Sequence, residues 1–350
     1  MEALDAEVQK FQQNAFALGT RGNLKTQFKA YLEFCTRYEI PGLPATGETL
    51  CRFATWTAVT KRAKTGQTVR NFLSAVRTFH KLLGENCPTP KTNGQLEFTV
   101  RGLNKLLAKA PRRMYPITKD ILTFLITIDS QVSPLLPHNP SLSMKKYQET
   151  FGDTILWLVY KALYLTLFLS FLRISSLIPE SRPKLDKQRQ LIWNRVNVIS
   201  GKGLILKIIK SKTVQDFGKI LEIPIGLLPG SDFCVVSALR ELTQIPGYPC
   251  GPNDQVFSIP DMQGGWIPLT KGPAGKHLES KIQKMGLNPK RYRWHGFRRG
   301  GIQHGSLVVP NLELLRLHGG WESECFRVYM DLPALSRFQV TQKMLGSLSS

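Results

Sequence analysis

Apolar positions in the first hundred residues recur at intervals of three and four, which predicts a set of short amphipathic helices. In TRGNLKTQFKAYLEFCTRYEI, Thr20 stands where a helix cap is expected, and Phe28, Leu32 and Cys35 fall on one face. GETLCRFATWTAV groups Leu50, Phe53, Ala54 and Trp56, and KTGQTVRNFLSAVRTFHKLLG aligns Phe72, Leu73, Val76, Phe79 and Leu83. Three such faces predict a small helical bundle. From Phe98 to Thr118 the pattern predicts a last helix running into a linker broken by the prolines of APRRMYPIT. That stretch carries Arg101, Lys105, Lys109, Arg112 and Arg113 and no acid, so it suits a phosphate backbone.

The texture then changes. A helix is expected from near Lys119, followed by a surface loop in the Pro- and Ser-rich SQVSPLLPHNPSLS. Ile155 to Leu172 is almost wholly apolar and about long enough to span a bilayer. Lys161 lies within it, with Thr166 and Ser170, and Arg173 follows directly, so a buried core helix is predicted instead. LIWNRVNVIS, GLILKIIKS and KILEIPI are short runs rich in β-branched residues and predict a small antiparallel sheet. From Ser237 onward the pattern returns to helices separated by Gly and Pro loops. In ALSRFQVTQKML, Leu335, Phe338 and Leu345 share a helical face that would dock on a neighbouring protomer or fold back on its own. The expected fold class is mainly α with a small antiparallel β-sheet. Its domains are a helical one over 1–110, a basic linker over 111–118 and an α+β one over 119–350.

Length and charge sharpen this picture. The 350 residues are enough for two cores. Lys and Arg number 47 against 25 Asp and Glu, a net charge of +22, and such self-repulsion calls for a polyanionic partner. Nucleic acid leads; the alternative is a generically basic soluble protein, since basic patches also serve RNA and anionic lipid. Cys35, Cys51, Cys87, Cys234, Cys250 and Cys325 are scattered without a CxxC pair or a histidine at ligand spacing, so reduced thiols are expected and no metal. MEALDAEVQKFQQ lacks the basic start and apolar core of a signal peptide, which favours an intracellular site. There is no Walker A loop, HExxH or GxSxG, which removes the usual grounds for nucleotide hydrolysis or zinc chemistry, and no cofactor is expected.

The chemistry-bearing residues concentrate in WHGFRRGG and in LRLHGGWESECFRVYMD. From Lys281 through Leu312 there is no acid, while Lys284, Lys290, Arg291, Arg293, Arg298 and Arg299 crowd around His295. An imidazole within reach of guanidinium groups suits acid–base work on a phosphodiester, although a basic surface with an incidental histidine has the same composition.

His295-Gly296-Phe297-Arg298 resembles the HxxR box of tyrosine recombinases. Trp321, 23 residues after Arg298, is similar in position to the family's His-or-Trp residue, and Tyr329 follows eight residues later, where about nine is usual. LSFLRISSL resembles the box of the first arginine, here Arg173, with Ser176 in place of the acid that often follows. IIKSKTVQDFGKILEIPI resembles the hairpin that carries the family's lysine; Lys212 is the best match, with Lys210 and Lys219 as alternatives. His318, three residues before Trp321, is a secondary candidate. The HGFRRGG and LHGGW segments look most like the recombinases of DIRS-type and Ngaro-type retrotransposons, and less like those of Cryptons.

This resemblance implies a core-binding domain and a catalytic domain that close as a clamp on double-stranded DNA, with a homotetramer on two synapsed sites and no membrane association. It implies a site-specific recombinase or integrase of a mobile element, nuclear if eukaryotic and otherwise cytoplasmic. Tyr329 would be the nucleophile that forms a 3′-phosphotyrosyl bond, His295 its base and Lys212 the acid for the departing 5′ oxygen. Arg173 and Arg298 would neutralise the nonbridging oxygens, Trp321 would pack beside the phosphate, and Arg299 would contact a flanking one. A domesticated DNA-binding protein without catalysis and a type IB topoisomerase are the rival readings.

Overall fold

Helix-capping side chains set the start of most N-terminal elements in the computed structural model, which describes residues 2–108, 114–127, 143–209, 220–330 and 342. The chain divides into two compact units, Met1–Arg112 and Arg113–Ser350. In the first unit the helices are α1 (Glu2–Asn14), α2 (Leu18–Arg37), α3 (Gly47–Val59), α4 (Gly66–Leu82) and α5 (Gly94–Leu106). Thr46, Thr65 and Asn93 accept hydrogen bonds from the backbone of α3, α4 and α5, each stabilising its helix by about 1 kcal/mol.

Three details differ from the periodic reading. Helix α2 starts before Thr20, capped by Ala17 without a side-chain bond. Its start is held instead by Arg21, which donates to Phe16 O and Asn14 Oδ1, both at 2.8 Å. The buried face carries Tyr31, Phe34 and Cys35, while Leu32 is 44% exposed. The Tyr31 and Phe34 rings reach Phe53 at 5.0 and 5.4 Å and turn the helix toward it. On α3, Leu50, Phe53, Ala54 and Trp56 are all buried. On α4, Phe72, Leu73 and Val76 are buried, but Leu83 caps the helix and is exposed. His80 is fully buried, its Nε2 accepting the Ala45 N–H and its Nδ1 facing Val76 O, both at 2.8 Å, which fixes the ring's orientation.

The second unit is built on α7 (Met144–Ser170), preceded by α6 (Lys119–Thr127). Helix α7 is long and apolar enough to cross a membrane, but 78% of its apolar window is buried, and it forms the spine of the core. The Trp157 indole donates to Ile126 O at 2.9 Å and ties α6 to it. The Lys161 ammonium lies 4.9 Å over Trp157 and within 3.8–3.9 Å of Asp232 and Glu241, which offsets the cost of a lysine there.

The short helix α8 (Ile174–Leu177) leads to the antiparallel sheet β1 (Val196–Ile199), β2 (Gly203–Ile208), β3 (Leu221–Gly226), in that order. Leu206 pairs with Val196 on one side and Ile223 on the other, and Leu204, Leu206, Ile208, Ile223 and Ile225 join the α7 core. Lys210, Lys212 and Lys219 fall between β2 and β3, outside the described residues; Lys109, Arg112, Arg113, nearly all of the SQVSPLLPHNPSLS stretch and the segment with Leu335, Phe338 and Leu345 also lie outside the described residues.

After α9 (Val235–Thr243) the expectation of helices alone fails, because β4 (Ser258–Pro260) and β5 (Trp266–Pro268) form an antiparallel hairpin. Its strands are three residues long, each ends in proline, and they are too short to show alternation. Helices α10 (Lys271–Lys284), α11 (Trp294–Val308) and α12 (Leu312–His318) follow, then a 3₁₀ turn over Glu324–Tyr329. The fold is thus mainly helical with small antiparallel sheets.

Candidate active site

The site is assembled on the C-terminal end of α7. The helix stops at Ser170, and Phe171 caps it in the left-handed region (φ 53°), which costs a residue with a β-carbon about 1–2 kcal/mol. The last carbonyls of a helix lack intrahelical donors and carry the negative end of its dipole. Two side chains from distant sequence fill that role here. Arg298 donates to Phe171 O, and the His318 ring lies with Nε2 2.7 Å from Leu169 O. Ser170 Oγ accepts the Leu172 N–H at 3.2 Å and steadies the cap.

The glycines of HGFRRGG explain how Arg298 reaches so deep. A β-carbon at Gly300 would collide with the Ile117 carbonyl oxygen, and one at Gly301 with that of Phe168. Their absence lets α11 lie directly on two backbones, with the Ile117 N–H donating to Gly296 O at 2.9 Å and the Tyr115 N–H to Arg291 O at 2.8 Å. Arg298 is left only 3% exposed.

The LHGGW segment is turn chemistry of a similar kind. Gly320 takes φ 64° and donates to Leu317 O at 3.0 Å, and the Trp321 N–H returns to Arg316 O at 3.1 Å. A β-carbon on Gly319 would overlap the Trp321 indole. Arg316 donates to the Trp321 carbonyl and pairs with Glu313 at 2.5 Å, so the tryptophan backbone is held from two sides.

Trp321, His295 and Tyr329 converge on Arg298. The guanidinium carbon sits 4.0 Å over the Trp321 ring and 5.7 Å from the Tyr329 ring centre. The His295 and Tyr329 rings are 5.2 Å apart, and those of Trp321 and Tyr329 5.9 Å. Trp321 is buried with Phe171, Ile302, Leu315 and Phe326, and Tyr329 packs half-buried on the same cluster. Arg173, at the start of α8, is half-buried and near enough for its charge to act on both His295 and Arg298.

The electrostatics describe a site prepared for an anion. Burial first, and then the charge of Arg173, push the Arg298 guanidinium down to about 10, while a hydrogen bond with Tyr329 and that phenol's charge oppose the shift. His295 stands at the exposed start of α11. Partial loss of hydration lowers its pKa, and Arg298, Arg173 and Arg299 lower it further, so the ring is neutral at pH 7. Among the described residues no carboxylate pairs with Arg173 or Arg298, and the Nε of Arg298 has no partner. Two uncompensated cations, one of them buried, gain most from a phosphate-like group accepting from both.

Other residues singled out in the sequence sit apart. Arg299 is half-buried with an unpartnered Nε and acts on His295 through its charge. Arg101 and Lys105 are exposed on α5 in the first unit. His318 lies close to the site but is spent on the α7 carbonyl, and burial lowers its pKa against the opposing effect of that bond. The sequence reading missed Phe171, whose carbonyl anchors Arg298; no local pattern marks a phenylalanine for a left-handed cap.

No protein-family model matches the sequence, and no curated protein matches it. Solved structures do. Lambda integrase, crystallised as a dimer bound to a COC′ core site, superposes with a TM-score of 0.52 at 14% identity, over 94% of this chain and 77% of that one. The Tn1549 transposon integrase, in complex with transposon right-end DNA, gives 0.51 at 14% identity over 93% and 94%. The XerH site-specific recombinase, bound to a palindromic difH substrate, gives 0.53 at 14% identity over 85% and 69%. These neighbours are tyrosine recombinases, and the chain has their fold.

Proposed function

We propose that this protein is a tyrosine recombinase that cleaves and rejoins duplex DNA through Tyr329. The observation that carries the reading is the half-buried phenol packed against a desolvated Arg298, with a neutral His295 beside it and Arg173 near. In the proposed step the Tyr329 oxygen attacks the scissile phosphorus and its proton passes to His295. The bond to the 5′ oxygen breaks, and that oxygen takes a proton from a lysine, for which Lys212 is the candidate. Arg173 and Arg298 hold the charge that builds on the nonbridging oxygens. The phosphotyrosyl bond conserves the energy of the phosphodiester, so a 5′ hydroxyl can reverse the step.

DNA as the partner is supported by the net charge of +22 and by the DNA-bound state of the fold's neighbours. The mobile-element setting, the DIRS- or Ngaro-type affiliation, assembly as a homotetramer and a nuclear site rest on the resemblance of HGFRRGG and LHGGW. The test is incubation with nicked suicide duplexes. A covalent adduct is expected from the parent protein, and Tyr329→Phe should lose it while keeping duplex affinity. An adduct from the Phe variant would place the nucleophile elsewhere.

A further inference from the structure

We infer that His318 is a positioning residue for Arg298 and Trp321, acting through the cap of α7. The inference rests on the recombinase reading for its consequence in cleavage, but its physical basis is separate. Helix α7 ends in a left-handed phenylalanine, a conformation that persists only if its surroundings hold it. The Phe171 carbonyl is the backbone acceptor for Arg298, so any relaxation of the cap moves the guanidinium.

His318 grips this cap twice. Its Nε2–H meets Leu169 O at 2.7 Å, two residues before Phe171, and its ring lies edge-on to the Phe171 ring at 5.0 Å and 81°. The Phe171 ring in turn contacts Trp321 at 6.3 Å, and Trp321 supports Arg298 from below at 4.0 Å. His318 therefore reaches Arg298 by two routes, the carbonyl and the indole. It closes the turn from which Gly319, Gly320 and Trp321 emerge, so one imidazole ties the end of α7 to the end of α12. With Nε2 turned to a carbonyl, the ring is not aimed at a reacting phosphate.

The test separates donor from ring. His318→Phe keeps an aromatic ring and deletes the donor; His318→Gln keeps an N–H with similar reach; His318→Asn keeps the amide but is one methylene short. Two readouts are taken on the full chain: single-turnover adduct formation on a suicide duplex, and the ¹⁵N–¹H resonance of Arg298 Nε, assigned by its loss in Arg298→Lys. Expected is an adduct rate about tenfold lower in the Phe and Asn variants at unchanged DNA affinity, with the Gln variant within about threefold of the parent. The Arg298 resonance should move in Phe and Asn and stay in Gln. If His318→Phe does not fold, the Gln and Asn pair carries the comparison alone. An unmoved Arg298 resonance in the Phe or Asn variant would overturn the inference. So would a Gln variant as slow as Asn, which would assign the imidazole a chemical role. If the parent forms no adduct, the recombinase reading fails while the resonance still decides the coupling.

Discussion

Replacing Arg298 by methionine should slow cleavage by orders of magnitude while leaving the fold about as stable as before. A guanidinium held down to about 10 from an ordinary 12.5 carries roughly 3 kcal/mol of unfavourable free energy in its charged form. Methionine removes that burden and fills a similar volume. Against it stand the charged hydrogen bond to Phe171 O, about 1.5–3 kcal/mol, and the contact with the Trp321 face, about 1 kcal/mol. The two sides cancel to within about 1 kcal/mol, which for a unit of this size moves Tm by no more than about 4 °C. Cleavage on a suicide duplex should fall by roughly 10²–10³, the usual loss when a fixed donor to a developing charge is removed. Thermal unfolding and single-turnover adduct formation, run on the same preparation, make the check. A buried arginine paired to a carboxylate costs about 3–5 kcal/mol when removed, so a Tm drop beyond 10 °C would refute the unpaired-cation argument. Adduct formation at the parent rate would refute the assignment of Arg298 to the phosphate.

Four further outcomes are expected. Because His295 is held below its ordinary 6.5, cleavage should stay level as pH falls to about 6.5 and decline only below it, a limb that His295→Gln should erase in rate profiles. The same depressed pKa means the unfolded chain takes up the proton first, so the stability it contributes is present above about pH 6.5 and lost as pH falls through the folded value. Gly300→Ala should cost about 1–3 kcal/mol or more, since its methyl group meets the Ile117 carbonyl, whereas Gly102→Ala, with nothing within 4 Å inside α5, should gain about 0.5–1 kcal/mol; calorimetry of both variants decides. Lys212→Ala should slow cleavage by about a hundredfold and regain it on a substrate with a bridging 5′ sulfur, while Arg173→Ala should not; rescue of Lys210→Ala or Lys219→Ala instead would move the assignment along the segment.

Local periodicity was enough to determine that Leu50, Phe53, Ala54 and Trp56 turn inward and that the runs around Leu206 and Ile223 pair as strands, because burial of one face at a fixed repeat leaves a direct trace in the residue order. The residue order also determined that the stretch around Leu163 is a core spine, from a nearly continuous apolar run that Lys161 marks as no membrane span. What it could not determine is which of several apolar faces wins. Leu32 and Tyr31 are neighbours on α2, and only the Phe53 ring across the bundle chose the tyrosine. The three-residue strands of β4 and β5 carry too few positions for a repeat to exist. At the site, the residue types of HGFRRGG and LHGGW were visible, but nothing in the residue order marked Gly300 and Gly301 as the places where the Ile117 and Phe168 backbones lie against α11. Tertiary structure alone decided that Arg298 would be anchored by the carbonyl of a left-handed Phe171 and that His318 would be spent on Leu169, because partners brought together across more than a hundred residues leave no local pattern in the chain.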